Sequence, residues 1–243
     1  MTDPEPNPGL DRVRRELRST GVPVDAPNPL RSGVHTRGYL PHVKREGSSY
    51  FVTFRLGDSL PQSVLLEFKR QQAGKLRALT KPTPAAREEI DRDYQRQIER
   101  YLDRGIGECH LRRPEIARIA VEALLFFHEK QYLLQEWVVM PNHIHLLLWP
   151  MPNYTLSDVL RDRKRRIARK ANEFLGRTGR AFWQHESYDH WIRNDQEKSR
   201  VRRYIRNNPV TARLCKEPEL WKWGSAYHEF VRRNGQSTAA GTG

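Results

Sequence analysis

Two apolar runs separated by a three-residue turn constrain this chain more than any other feature. Tyr132 to Val139 and His143 to Trp149 are each long enough for a strand, and only Met140-Pro141-Asn142 lies between them. Parallel neighbours need a crossover of a dozen or more residues, so these two runs are expected to pair antiparallel. A doubly wound parallel sheet, with a helix between all its strands, does not fit. The other segments supply helices and one more strand. Ser49 to Leu56 is aromatic and β-branched and reads as a strand. Pro61 to about Tyr101 is helical and highly charged, broken at Lys81-Pro82-Thr83-Pro84. Pro114 can open a helix at its first turn, and Ile116, Ile119, Ala120, Ala123, Leu124 and Phe127 then give it one apolar face. A basic helix is expected from about Thr155 to Phe174, and another from about Gln196 to Asn207, stopped by Pro209. The expected fold class is α+β: an antiparallel sheet of about four to five strands with helices packed on its faces.

The expected organisation is a Pro-rich, poorly ordered tail over 1–35, one domain over 36–230 with a helical insertion at about 58–130, and a flexible tail over 231–243. No run of 18 apolar residues occurs, which excludes a membrane-spanning helix. Cys109 and Cys215 stand far apart and form no CxxC pair. The first six residues, Met-Thr-Asp-Pro-Glu-Pro, lack the basic and apolar blocks of a signal peptide. A reducing, cytoplasmic location is expected. Lys and Arg number 43 against 29 Asp and Glu, a net charge of +14, which points to a polyanionic partner.

His143-Ile144-His145 opens the second apolar run. Alternate side chains of a strand share a face, so both imidazoles project one way while Ile144, Leu146 and Leu148 project the other. Two such rings can hold one metal ion, although His-x-His by itself is a weak signal. Two polar rings amid aliphatics are costly to bury without a purpose. Tyr204 sits near the end of a helix among Arg200, Arg202, Arg203 and Arg206, where guanidinium groups could stabilise a phenolate and clamp phosphate.

Together, Met140-Pro141-Asn142-His143-Ile144-His145-Leu146 and Tyr204-Ile205-Arg206-Asn207-Asn208-Pro209-Val210 resemble the IS200-type, single-tyrosine (HUH) transposases, with the branch associated with repetitive extragenic palindromes the nearest. Three further stretches fit the same pattern in order: Tyr39-Leu40-Pro41 with Tyr50 to Leu56, Phe182-Trp183-Gln184 with Tyr188-Asp189-His190, and Trp221 to Tyr227. The resemblance spans about Arg37 to Tyr227. It implies cleavage and joining of single-stranded or hairpin DNA through a 5′-phosphotyrosine, in a cytoplasmic, nucleoid-associated setting. It also implies His143 and His145 as metal ligands, Tyr204 as nucleophile, and Mg²⁺ or Mn²⁺ as the metal. The third ligand would come from the tyrosine helix four residues on, at Asn208, with Asn207 the competitor because Asn208 precedes a proline. Relatives act as homodimers or monomers.

The basic helix offers a DNA path. Arg161, Arg163, Lys164, Arg165, Arg166, Arg169 and Lys170 crowd its middle, and with Arg203 and Arg206 they are the expected phosphate contacts. Trp183, Tyr188 and Trp191 could stack on bases or serve as core, and His185 and His190 could touch DNA or move protons. The rival readings are a hairpin-binding protein that does not cut and an RNA-binding module. The latter would need aromatic RNP-type strands, which Tyr50, Phe51 and Phe54 do not match.

Overall fold

A computed structural model describes residues 33–36, 41–44, 47–80, 83–185 and 187–239. Most of the expected N-terminal tail lies outside these, but its last residues open a strand. Strands β1 (Gly33–Thr36) and β2 (Pro41–Lys44) pair antiparallel as a separate two-stranded sheet. The main sheet has four antiparallel strands in the order β4-β5-β3-β6, formed by β3 (Tyr50–Arg55), β4 (Tyr132–Val139), β5 (His143–Pro150) and β6 (Tyr188–Trp191). The expected hairpin is present, with Val139 opposite Ile144 and Val138 opposite His145.

Among the described residues six α-helices accompany the sheet: α1 (Gln62–Arg77), α2 (Pro84–Leu102), α3 (Pro114–Leu125), α4 (Leu156–Phe174), α5 (Asp195–Thr211) and α6 (Ser225–Ala239). Side-chain oxygens of Thr83, Thr155 and Asn194 accept backbone N–H bonds at the starts of α2, α4 and α5. Helix α6 extends past the expected domain end at 230.

The pleat separates two faces. Val52, Phe54, Ile144, Leu146 and Leu148 face the main core, where α3 contributes Ile116, Ala120 and Leu124 and α4 contributes Val159, Leu160 and Ile167. Phe51, Val138 and Leu147 face the other way and pack with Ile205 of α5. Helices α1 and α2 share a smaller core of Leu65, Tyr94, Ile98 and Leu102.

Helix α5 corrects one expectation. It runs through Pro209 instead of stopping there. The backbone N–H of Ala212 still donates to the carbonyl of Asn208 at 2.9 Å, and that of Leu214 to Pro209 at 2.8 Å. Proline removes one hydrogen bond near the helix end, where the ladder is ending anyway. Burial of Ile205, Asn208 and Pro209 holds the last turn in place.

Strand β4 carries a bulge. Leu134 pairs with Leu148 but Glu136 pairs with Leu147, so Gln135 is the extra residue. Strict alternation from Tyr132 would send Glu136 into the apolar core. The bulge turns it to the α5 face instead. There its fully buried carboxylate accepts from Arg206 Nε at 2.8 Å, from Arg202 Nε at 3.3 Å and from the Ser225 hydroxyl. Arg206 also donates to Glu229 of α6. This network ties the tyrosine-bearing helix to the sheet edge and to α6. Arg206→Ala leaves a buried carboxylate with fewer partners. Because Arg202 and Ser225 remain, the cost is set at about 2 kcal/mol, below the range for an orphaned buried ion. Thermal melting should fall by roughly 4–8 °C; an unchanged melting point would show that the network does not hold α5.

Candidate active site

His143 and His145 emerge on the α5 face of β5 and are both fully buried. Their Nε2 atoms approach to 3.0 Å. The surroundings set what each ring can offer. The Asn142 amide group donates to the carbonyls of Leu102 and Ile106 at 3.2 and 3.0 Å, which leaves its Oδ1 to accept from His143 Nδ1 at 2.7 Å. The Thr53 hydroxyl donates to Glu99 Oε1 at 3.2 Å, so its oxygen accepts from His145 Nδ1 at 2.8 Å. Both rings therefore carry a proton on Nδ1 and turn Nε2 inward. Burial, reinforced by His145, pushes the His143 pKa down to about 3, which keeps that ring neutral and able to ligate.

Glu99 of α2 completes the cluster. Its Oε2 lies 3.2 Å from His145 Nε2, and the Tyr204 hydroxyl donates to that oxygen at 2.7 Å. Tyr204 Oη is also 3.4 Å from His145 Nε2. Ligand atoms of Glu99, His143 and His145 all lie within 4.8 Å of one another. Two imidazole lone pairs and a carboxylate oxygen cannot face one another at these distances without a positive charge among them. A proton on His145 Nε2 or a metal cation provides it. Burial pushes the Glu99 carboxyl up, but the charge and hydrogen bond of His145 outweigh that and hold it down at about 2.

Asn208, one turn after Tyr204, is buried beside His143 and Tyr204. Both its amide atoms, and Asp103 Oδ1, are buried without a hydrogen bond of ordinary geometry among the described residues. Buried polar groups are nearly always satisfied, and the two acceptor oxygens among these atoms, Asn208 Oδ1 and Asp103 Oδ1, fit a site built to hold a cation. Asn207 points to solvent. Burial, and then the neighbouring charge of Glu99, raises Asp103 to about 6.

Four expected residues thus converge: His143, His145, Tyr204 and Asn208. The surroundings of Tyr204 differ from expectation. Its hydroxyl faces Glu99 and not an arginine, and burial with that carboxylate raises its pKa well above 10. Arg206 points away, into its pairs with Glu136 and Glu229, while Arg203 is exposed on α5. The ring of Tyr204 stays partly open to solvent and packs edge-on against Phe51 and His145.

The basic helix departs further. Helix α4 packs on the opposite face of the sheet from the histidines. Arg163 is buried, its guanidinium 4.3 Å above the Phe127 ring, and cannot reach a phosphate. Lys164 donates to Ser187 Oγ and to the carbonyls of Gln184 and His185 at 3.0–3.3 Å. Arg161 pairs with Asp158 and Asp162, and Arg166 lies over Phe126. Arg165 and Arg169 are exposed, and Lys170 is half-buried. Trp183 packs against Phe54 and donates to the Lys164 carbonyl, Trp191 packs against the main core, and His190 pairs with Glu197 at 2.9 Å.

Sequence reasoning missed Glu99, Thr53, Asn142 and Asp103. Asn142 adjoins the histidine motif and could have been found there. Glu99 sits in a charged helix that gives no such signal.

The family described as "Transposase IS200 like" matches residues 120–208. No curated protein matches. Among solved structures, the chain resembles the REP-associated tyrosine transposase bound to a REP hairpin, at 18% identity and a TM-score of 0.45, over 82% of this chain and 85% of that one. It also resembles a candidate transposase of Deinococcus radiodurans R1, at 15% identity and a TM-score of 0.29, over 72% of this chain and 96% of that one. Likenesses this distant do not bear on function. The family match does, because it covers both histidines, the tyrosine and Asn208, while Glu99 lies outside it. Over residues 120–208 the chain is thus similar to the IS200-like transposases.

Proposed function

We propose that the chain cleaves and rejoins single-stranded DNA at hairpins through a 5′-phosphotyrosine on Tyr204. The observation that carries this reading is the convergence of His143 Nε2, His145 Nε2, Glu99 and the Tyr204 hydroxyl at one point. A divalent cation held by the two Nε2 atoms and an oxygen of Glu99 or Asn208 would act as a Lewis acid on a non-bridging phosphate oxygen. Two imidazoles alone favour softer metals, but a carboxylate and an amide oxygen shift the donor set toward Mg²⁺ or Mn²⁺.

The chain's own groups do the rest. Tyr204 Oη attacks phosphorus in line, and the bond to the 3′-oxygen breaks. Glu99 Oε2 already accepts the hydroxyl's hydrogen bond and is placed to take its proton. The leaving 3′-oxygen takes up the proton that Tyr204 gave to Glu99, which returns the carboxylate to its starting state. No water enters, so the phosphoryl bond is conserved and the step can run backwards to join strands. The preference for hairpins rests on the sequence resemblance.

The test is incubation of the protein with labelled hairpin DNA and Mn²⁺, followed by denaturing electrophoresis. A denaturant-resistant protein–DNA adduct is expected. Hairpin binding without any adduct would favour the reading in which the protein binds and does not cut.

The exposed cations of α4 have a narrower role in this reading. They lie behind the sheet, so they would hold DNA away from the cleaved phosphate. Converting Arg165 and Arg169 to Ala should weaken binding to all sequences alike. It should also reduce the log–log salt slope by about 0.7 for each single-strand phosphate left without its cation. A slope equal to wild type would mean that this helix face meets only solvent.

A further inference from the structure

Beside the active site lies a cavity of about 190 Å³ between α1, α2 and the segment leading into β6. Nothing in the proposed chemistry uses it. Tyr94, Ile98 and Tyr188 give it apolar walls, and Gln62, Gln95 and Gln184 bring three amides to it. Arg55 and Lys69 add positive charge, and no Asp or Glu among the described residues lines it. Gln95 is buried and lines the cavity. Its neighbours tie the cavity to the reacting centre. Gln95 lies four residues before Glu99 on α2, a rise of about 6 Å. Tyr188 is paired with Thr53, and Arg55 with His143.

From this arrangement, and resting on the DNA-cleavage reading above, we infer that the cavity receives one unpaired nucleobase of the nucleotide next to the cleaved phosphate and selects its identity. The volume falls below the ~300–1,000 Å³ of sites that enclose drug-sized ligands, and so suits a base without its sugar and phosphate. An unstacked base asks for an aromatic or apolar wall and for hydrogen-bonding groups at its edge. Tyr188 and Ile98 supply the first. The glutamine amides supply the second, each offering a donor and an acceptor in one plane, the combination that distinguishes one base edge from another. The positive rim suits the phosphates that must remain outside. The helical insertion therefore does two things at once: it delivers Glu99 to the reacting centre and builds the reader beside it.

The test uses the full chain and a DNA hairpin of fixed stem with randomised single-stranded flanks, sequencing the bound fraction. One flank position should favour one base about tenfold over the others. Gln95→Ala and Gln184→Ala should each flatten the choice at that position, while affinity for the fixed stem stays within about threefold. Gln184 lies in a loop segment and serves if the buried Gln95 change disturbs folding, and Gln95→Glu should alter the favoured base rather than erase it. Unchanged selectivity in both alanine variants would overturn the assignment, as would a wild-type pool with no selected position despite tight binding. If the wild type binds no hairpin, the DNA reading itself falls, a different result from bound DNA without base choice.

Discussion

Under the proposed chemistry, replacing Tyr204 with Phe should abolish the covalent adduct and leave hairpin binding within about threefold of wild type. The substitution removes one oxygen, and the ring keeps its edge-on contacts with Phe51 and His145. Glu99 loses one donor but retains Thr53 and His145, so the cluster survives. The rival tyrosines are badly placed. Tyr188 packs edge-on against Phe51 in β6, and burial and nearby acids raise its pKa. Tyr154 follows the far end of β5 and is exposed. Mass spectrometry of the trapped peptide decides the matter: DNA on Tyr188 or Tyr154 would refute both the nucleophile and the geometry behind it.

His143→Ala or His145→Ala should lower cleavage by about 10³-fold or more, the scale of several kcal/mol of electrostatic stabilisation at phosphate. Binding of uncut hairpin should remain, since it rests on cationic surface and not on the buried rings. Each variant should also fail to bind Mn²⁺, measured directly by calorimetry, which separates a missing ligand from a disturbed fold. A double variant that still cleaves at near wild-type rate would remove the metal site from the mechanism.

The parts of this site that could be read from the sequence are those written at short range. His143 and His145 share a face because a strand has a period of two, and Tyr204 and Asn208 share one because a helix brings residues four apart together. The strand–turn–strand unit is legible for the same reason. Pro209 misled because its local bias against helix was outweighed by burial of Ile205 and Asn208. The charge run of α4 carried no direction. Seven cations say that a helix is basic, but only packing of Val159, Leu160 and Ile167 says which side of the sheet receives it. Glu99 was illegible because its role depends on α2 crossing to Thr53 and His145, far away in sequence. Burial then gave that carboxylate, rather than an arginine, the place opposite the tyrosine.

The extra residue in β4 bears on how this chain tolerates changes in length. Deletions inside a strand ordinarily invert every side chain beyond the cut, exchanging core for surface. At Gln135 they do not. Tyr132 and Leu134 already face the main core, and so do Trp137 and Val139, with Gln135 standing outside that alternation. A chain lacking Gln135 would run from Leu134 directly to Glu136 in unbroken alternation, with each remaining side chain on the face it now occupies. It would forgo the hydrogen bond from Ser49 to the Gln135 amide and little else. The strand that leads into the histidine motif thus contains a position where a codon can drop out without shifting the reading of its faces. Removal of either neighbour would instead carry a buried carboxylate or a core leucine with it.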